Sequence, residues 1–194
     1  MVEMAQSDPT RKGTTGMNFA SVCKTAMILL SISMGTIAAK AEALNLPKRT
    51  GPMPYVSSHV PHVQVGVEPD PEISKELLRR VSSMPGIEIR DTVMSMPGAL
   101  GFRLAEDVEL ARPDLGVRER EFAHMHPDGS LHAFLSPELA AKAVNAGWGA
   151  HHPYSRKWPK YKGFVMIFTP MSKSELRVVL QLVRESYRLV TTKL

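Results

Sequence analysis

His124, His126 and His132 fall within nine residues of one another, on either side of Pro127-Asp128-Gly129. Imidazole takes and gives protons near neutral pH, and it is the commonest side chain for holding a transition metal. Pro127-Asp128-Gly129 reads as a three-residue hairpin loop, with Gly129 in the left-handed conformation that closes a bulged turn. That register sets His126 opposite Ser130 and His124 opposite His132. Side chains two apart on a strand share a face, so all four project to one side. Phe122 or its neighbours, Met125, Leu131, Ala133 and Leu135 then form the other face. A buried neutral imidazole needs both a donor and an acceptor, so three together are costly unless they are used.

His152, after Gly147-Trp148-Gly149, is expected to join them as a fourth catalytic candidate. Two chemistries suit the set. His124, His126 and His132 form a three-nitrogen site for a transition metal, or the imidazoles act as general acid and base without one. Arg118 and Arg120 are expected to share the face of His124 and hold an anionic substrate, with Ser130 beside them. Trp148, carried between two glycines, is expected to wall the pocket. On a regular strand Glu121 lies three residues from His124 and faces away from it, which makes it a poor orienting carboxylate. The bland alternative is half-exposed histidines bonded to backbone or to Glu121. There is no nucleophile elbow, phosphate-binding glycine loop or helically spaced carboxylate pair.

The elements that must position these residues are legible in outline. Asp70-Pro71-Glu72 starts a helix with an apolar stripe at Ile73, Leu77, Leu78 and Val81, ended by Pro85-Gly86. Ile87–Arg90 and Leu100–Leu104 read as strands about a Pro97-Gly98 turn, with an irregular connection over residues 105–117. Ser136-Pro137-Glu138 opens a short helix that Gly147 ends. Gly163–Thr169 is a buried strand. Ser172 and Glu175 form a capping box for a helix with Leu176, Val179, Leu180, Val183 and Tyr187 on one face. The expected fold is α+β: an antiparallel sheet containing the His-rich hairpin, with two longer helices and one short helix packed on it.

Composition is that of an ordinary soluble domain, 43% hydrophobic and 22% charged. Residues 1–43 stand apart, with an uncharged run of 15 residues from Thr25 to Ala39 preceded by Lys24. Such a run suits a signal peptide cleaved after Ala41 or Ala43, and hence export to a periplasm or the exterior. The alternative is a membrane anchor formed by residues 25–39, the segment through which any membrane attachment is expected to run. Residues 44–69, rich in proline, read as an extended linker, and 70–194 as the domain. Cys23 is the only cysteine, so the remainder has no disulfide or thiolate chemistry. Beyond residue 43, 20 cations face 16 carboxylates, after removal of four and three. Arg156, Lys157, Lys160 and Lys162 alternate with Trp158 and Tyr161, but no nucleic-acid motif surrounds them, and no nucleic-acid partner is expected. That loop reads as solvated, or as one that attracts a small anion.

Arg120–His126, Ser130–His132, Gly147–Gly149, His152-Pro153, Phe164–Pro170 and Glu175–Thr191, taken in order, resemble the signature of the fungal luciferase family. The resemblance covers about residues 118–191. It implies a cofactor-independent, monooxygenase-like oxidation by O₂ of a small enolisable substrate such as a hydroxypyrone, without a metal. That family has a longer turn between the positions of His126 and Ser130, so substrate identity is the property the shortened turn affects. A non-catalytic small-ligand domain and a three-His metal enzyme are the alternatives.

Overall fold

The computed structural model describes residues 44, 46–115 and 118–192. Both readings of the leader, signal peptide and anchor, therefore lie outside the described residues. The fold is α+β. A minor hairpin of β1 (Tyr55–Val56) and β2 (Gln64–Val65) precedes α1 (Pro71–Ser82), β3 (Ile87–Asp91) and β4 (Leu100–Leu104). Then come β5 (Glu121–Met125), β6 (Leu131–Phe134), α2 (Pro137–Asn145), β7 (Gly149–His151), β8 (Phe164–Ile167) and α3 (Lys173–Thr191). The six strands β3 to β8 form one antiparallel sheet in the order β3-β4-β5-β6-β8-β7. Among the described residues, no helix is long and apolar enough to cross a membrane.

Each helix begins where its cap chemistry places it. The Asp70 carboxylate accepts from the Glu72 and Ile73 amides, and Pro71 supplies the first helical residue. Ser136 accepts from Leu139 N–H in the same way. Ser172 accepts from Glu175 N–H, while the Glu175 carboxylate reaches back to the Met171 amide and pairs with Arg49 at 3.3 Å. At the end of α2, Trp148 N–H returns to Ala143 O and Gly147 N–H to Val144 O. That pair of hydrogen bonds needs the left-handed Gly147, φ 82°. The same turn delivers Trp148 to the start of edge strand β7, which the sequence suggests only as a loop.

The two sheet faces differ in kind. Phe102, Ala123, Ala133 and Val165 form one register row beneath α1 and α3. Leu77, Val81, Val179, Leu182 and Val183 close over that face with no solvent access, and burial of this order supplies about 1.5–3 kcal/mol per large side chain. The opposite face carries the row Gly101, His124, His132, Met166. Strand pairing thus sends apolar side chains to the helices and imidazoles to the other side.

Residues 46–69 are not a linker. Trp148 Nε1–H donates to Pro47 O at 2.6 Å, and Arg49 N–H donates to Ala146 O. The Gln64 side chain is bonded twice to Thr169, and Gln64 N–H reaches Asp128 at 3.2 Å. Prolines make the segment extended, as expected, but these directed hydrogen bonds fasten it to the domain. Its β1–β2 hairpin brings His62 to the imidazole face.

The Pro127-Asp128-Gly129 turn forms in the expected register, with His126 N–H to Ser130 O and Gly129 at φ 78°. A Cβ on Gly129 would sit 2.8 Å from Thr169 Cγ2 and 2.9 Å from Pro69 Cβ. Gly129→Ala is therefore expected to lower stability by about 1–3 kcal/mol, from strained φ and crowding together. Urea denaturation checks this, and an unchanged midpoint would show that the turn relaxes freely.

Candidate functional site

Five imidazoles converge on one face of the sheet. His124 and His132 stand opposite each other on β5 and β6, and His126 follows at the turn. His152 caps a 3-10 turn at Pro153–Arg156, its Nδ1 accepting from Tyr154 N–H at 3.1 Å. His62 enters from the β1–β2 hairpin. All five are buried, none more than 5% exposed. His132 is the hub, edge-on to His124, His126 and His152 and stacked on His62 at 5.2 Å. A cavity of about 340 Å³ opens among them, walled also by Val60, Met94, Met96, Tyr154 and Phe164. That size admits a small ligand.

Hydrogen bonds order the imidazoles into a chain. Glu121 Oε1 meets His124 Nδ1 at 2.9 Å, His124 Nε2 meets His132 Nδ1 at 3.1 Å, and His132 Nε2 meets His62 Nδ1 at 3.0 Å. Its polarity follows from the fully buried Glu121. Burial raises this carboxyl's pKa, but hydrogen bonds from His124, the Val93 amide and Thr92 Oγ1 outweigh that and hold it below its ordinary value. An ionised Glu121 only accepts, so His124 donates from Nδ1 and accepts at Nε2. His132 and then His62 must do the same, which leaves the His62 Nε2 lone pair without a partner among the described residues.

Two further tautomers are fixed independently. Ser130 Oγ donates to Asp128 at 2.7 Å, so it accepts from His126 Nδ1–H at 2.9 Å and leaves His126 Nε2 as a base. His152 accepts at Nδ1, so its Nε2 bears the proton. The site thus offers basic nitrogens on His62 and His126 and an N–H donor on His152. The ligand nitrogens of His124, His126 and His132 also lie within 4.8 Å of one another, as do those of His62, His132 and His152. Either group is positioned to hold a metal ion.

Glu121 corrects the sequence reading. Between Phe102 and Arg103 the β4–β5 register shifts, with Phe102 opposite Ala123 and Arg103 opposite Glu121. The extra residue makes a bulge, so Phe122 and Ala123 both serve the core and Glu121 returns to the face of His124. Two consecutive apolar residues in an otherwise alternating strand were the available signal. Gly101 makes room: a Cβ there would meet Glu121 Oε2 at 2.5 Å.

Arg118 and Arg120 do not join the site. Residues 118–120 form a 3-10 turn with Arg120 at φ 67°, not a strand, so the expected shared face is absent. Arg118 is exposed, and Arg120 donates to Leu104 O at 2.9 Å and to Val108 O. Trp148 is buried, but it packs in the core and does not wall the cavity. Ser130 lies behind His126 as its orienting partner. His62, Met94 and Met96 were missed because they sit in irregular segments without periodicity, although His59 and His62 flanking Val60-Pro61 offered a hint.

With that geometry in place, residues 119–186 match the family model described as Luciferase domain. Over that span the chain is similar to a luciferase domain. Luciferases of Armillaria gallica and Armillaria mellea are 27% and 26% identical over 167 residues, covering 76% of this chain and 62% of theirs. The chain thus spans less than two thirds of those relatives' length. An alignment of 167 residues extends beyond 118–191, the span over which the sequence motifs are recognisable. No solved structure matches the chain.

Burial holds His62 and His126 at about 4 and His152 at about 3, and it holds His132 well below its usual range. The folded state therefore binds fewer protons than the unfolded chain, whose histidines titrate near about 6.5. This contribution to stability is complete above about pH 6.5 and is lost as pH falls towards 4. Thermal melts across that window should show Tm falling steadily. A Tm flat from pH 7 to 4 would mean that the buried imidazoles are protonated without cost.

Proposed function

We propose that the luciferase-like domain oxidises a small enolisable substrate with O₂, and that the Glu121–His124–His132–His62 chain is its base. The single observation that carries this reading is the uncommitted His62 Nε2, at the cavity end of a chain anchored on a buried carboxylate. The substrate proton passes to His62 Nε2. His62 gives its Nδ1 proton to His132 Nε2, and His132 gives its own to His124 Nε2. The positive charge then rests on His124 against the buried carboxylate of Glu121. A proton enters at the cavity and charge is neutralised away from it, so no cation is stranded among the apolar walls.

The resulting enolate is electron-rich. It passes one electron to O₂, and the radical pair closes to a carbon–oxygen bond, giving a peroxide anion. His152, which lines the cavity and carries its proton on Nε2, is the donor that stabilises that oxygen in this reading. Val60, Met94, Met96 and Phe164 supply apolar wall beside the imidazoles. Glu121→Gln keeps the shape but removes the charge that the chain needs. It is expected to reduce O₂ uptake with hydroxypyrones by about 10²-fold or more while leaving substrate binding intact. Binding across such a panel with no turnover by the unaltered protein would mark a non-catalytic ligand domain.

One observation favours a second reading. Glu121 and the Asp128–Ser130 pair each fix an Nδ1–H and leave Nε2 unprotonated on His124 and His126, the arrangement that carboxylates impose on metal-bound histidines. The 3.1 Å between His124 Nε2 and His132 Nδ1 is close to the about 3.3 Å edge of a tetrahedron with metal–nitrogen bonds of about 2.0–2.1 Å. A metal there would act as a Lewis acid or bind oxygen species, with His124, His126 and His132 as its ligands. Elemental analysis of untagged protein decides between the two. The base reading expects activity to survive chelation, and the metal reading expects about one metal per chain and activity lost with it.

A further inference from the structure

A second cavity, of about 360 Å³, shares His62 with the first. Its walls include Ser58, His151, Arg156 and Lys157, and no carboxylate. One short element feeds both cavities. The 3-10 turn Pro153–Arg156 is capped by His152 in the first and ends in Arg156 at the second. Sequence adds a second observation, because no Asp or Glu occurs between Glu138 and Glu175. Among the described residues neither Arg156 nor Lys157 has a carboxylate partner, a property they share with Arg118, Arg177, Arg184 and the lysines. What sets them apart is that both line a cavity that His62 also lines. Two cations thus stand beside a concave surface whose only shared wall with the histidine cavity is the terminal base.

We propose that Arg156 and Lys157 form an anion subsite, so that the substrate is an elongated acid whose enolisable end lies among the histidines and whose carboxylate or phosphate lies beyond His62. This rests on the reading of His62 as the base. It replaces Arg118 and Arg120, whose turn directs them elsewhere, with a pair that lines the second cavity beside His62. A guanidinium with a neighbouring ammonium is the usual equipment for holding an oxyanion. Placed next to the base, it also fixes which end of the molecule loses its proton.

The test is binding calorimetry with three probes: a hydroxycoumarin, the same ring bearing a carboxylate at its far end, and the methyl ester of that acid. The acid is expected to bind about tenfold tighter than the ester, the return for one well-placed charged contact. R156Q/K157Q should erase that preference without changing affinity for the neutral coumarin. K160Q/K162Q, which removes equal charge from the same loop, should leave it in place. Equal affinity of acid and ester for the unaltered protein overturns the subsite, and so does an equal loss in both double variants, since that marks diffuse attraction. O₂ uptake is scored separately: a preserved acid preference without turnover retains the subsite and rejects the base reading.

Discussion

A carboxylate with no solvent access is the constraint around which this molecule is arranged. Burying an ionised carboxylate without partners would cost many kcal/mol, and a single imidazole does not offset that. Glu121 has three partners: His124, the Val93 amide and Thr92 Oγ1. Each requires something from the fold. The Val93 amide and Thr92 come from the segment that follows β3, so the loop between β3 and β4 must reach past β4 to the carboxylate on β5. His124 reaches the carboxylate only because a bulge brings position 121 back to its face. Gly101 is needed because any side chain there would occupy the carboxylate's place. The reach of that loop, the irregularity of the sheet and its glycine are consequences of one buried charge.

That charge also explains how five imidazoles can share an interior. Imidazoles buried at random would compete for donors and leave lone pairs facing each other. Here an acceptor-only terminus gives the chain a direction, and every link from His124 to His62 inherits it. Asp128 plays the same part for His126, through Ser130. The tight turn serves both roles, since Asp128 Oδ1 also accepts from the Ser130 amide. The tight loop therefore does more than close a hairpin: it holds His126 in one tautomer.

Sequence showed the local chemistry well and the long-range assembly poorly. Caps at Asp70, Ser136 and Ser172 and the glycine of the 127–129 turn are decided within a few residues, and all lie where expected. The pairing of His124 with His132 followed from loop length alone. Glu121 was misplaced because period-two reasoning presumes an unbroken strand, and a bulge reverses every face beyond it. Arg118 and Arg120 failed for a related reason, since left-handed residues at 119 and 120 end the strand before it reaches them. His62 depends on contacts between residue 64 and residues 128 and 169, pairings that no local pattern announces.

His132 links the two chemistries open to this site and prevents them from operating together. In the proton chain its Nδ1 donates to His124 and its Nε2 accepts from His62. If His132 Nδ1 were to ligate a metal with His124 Nε2, that nitrogen would lose its proton and Nε2 would carry it. His132 would then donate to His62 Nδ1, and His62, to stay neutral, would bear its proton on Nε2. The nitrogen that is a base in one arrangement becomes a donor in the other. Metal binding would therefore reverse the polarity presented to a substrate three imidazoles from the carboxylate, while Glu121 and His124 keep the same hydrogen bond throughout. The tautomer of His62, not the occupancy of any one ligand, is the physical quantity that separates the two modes.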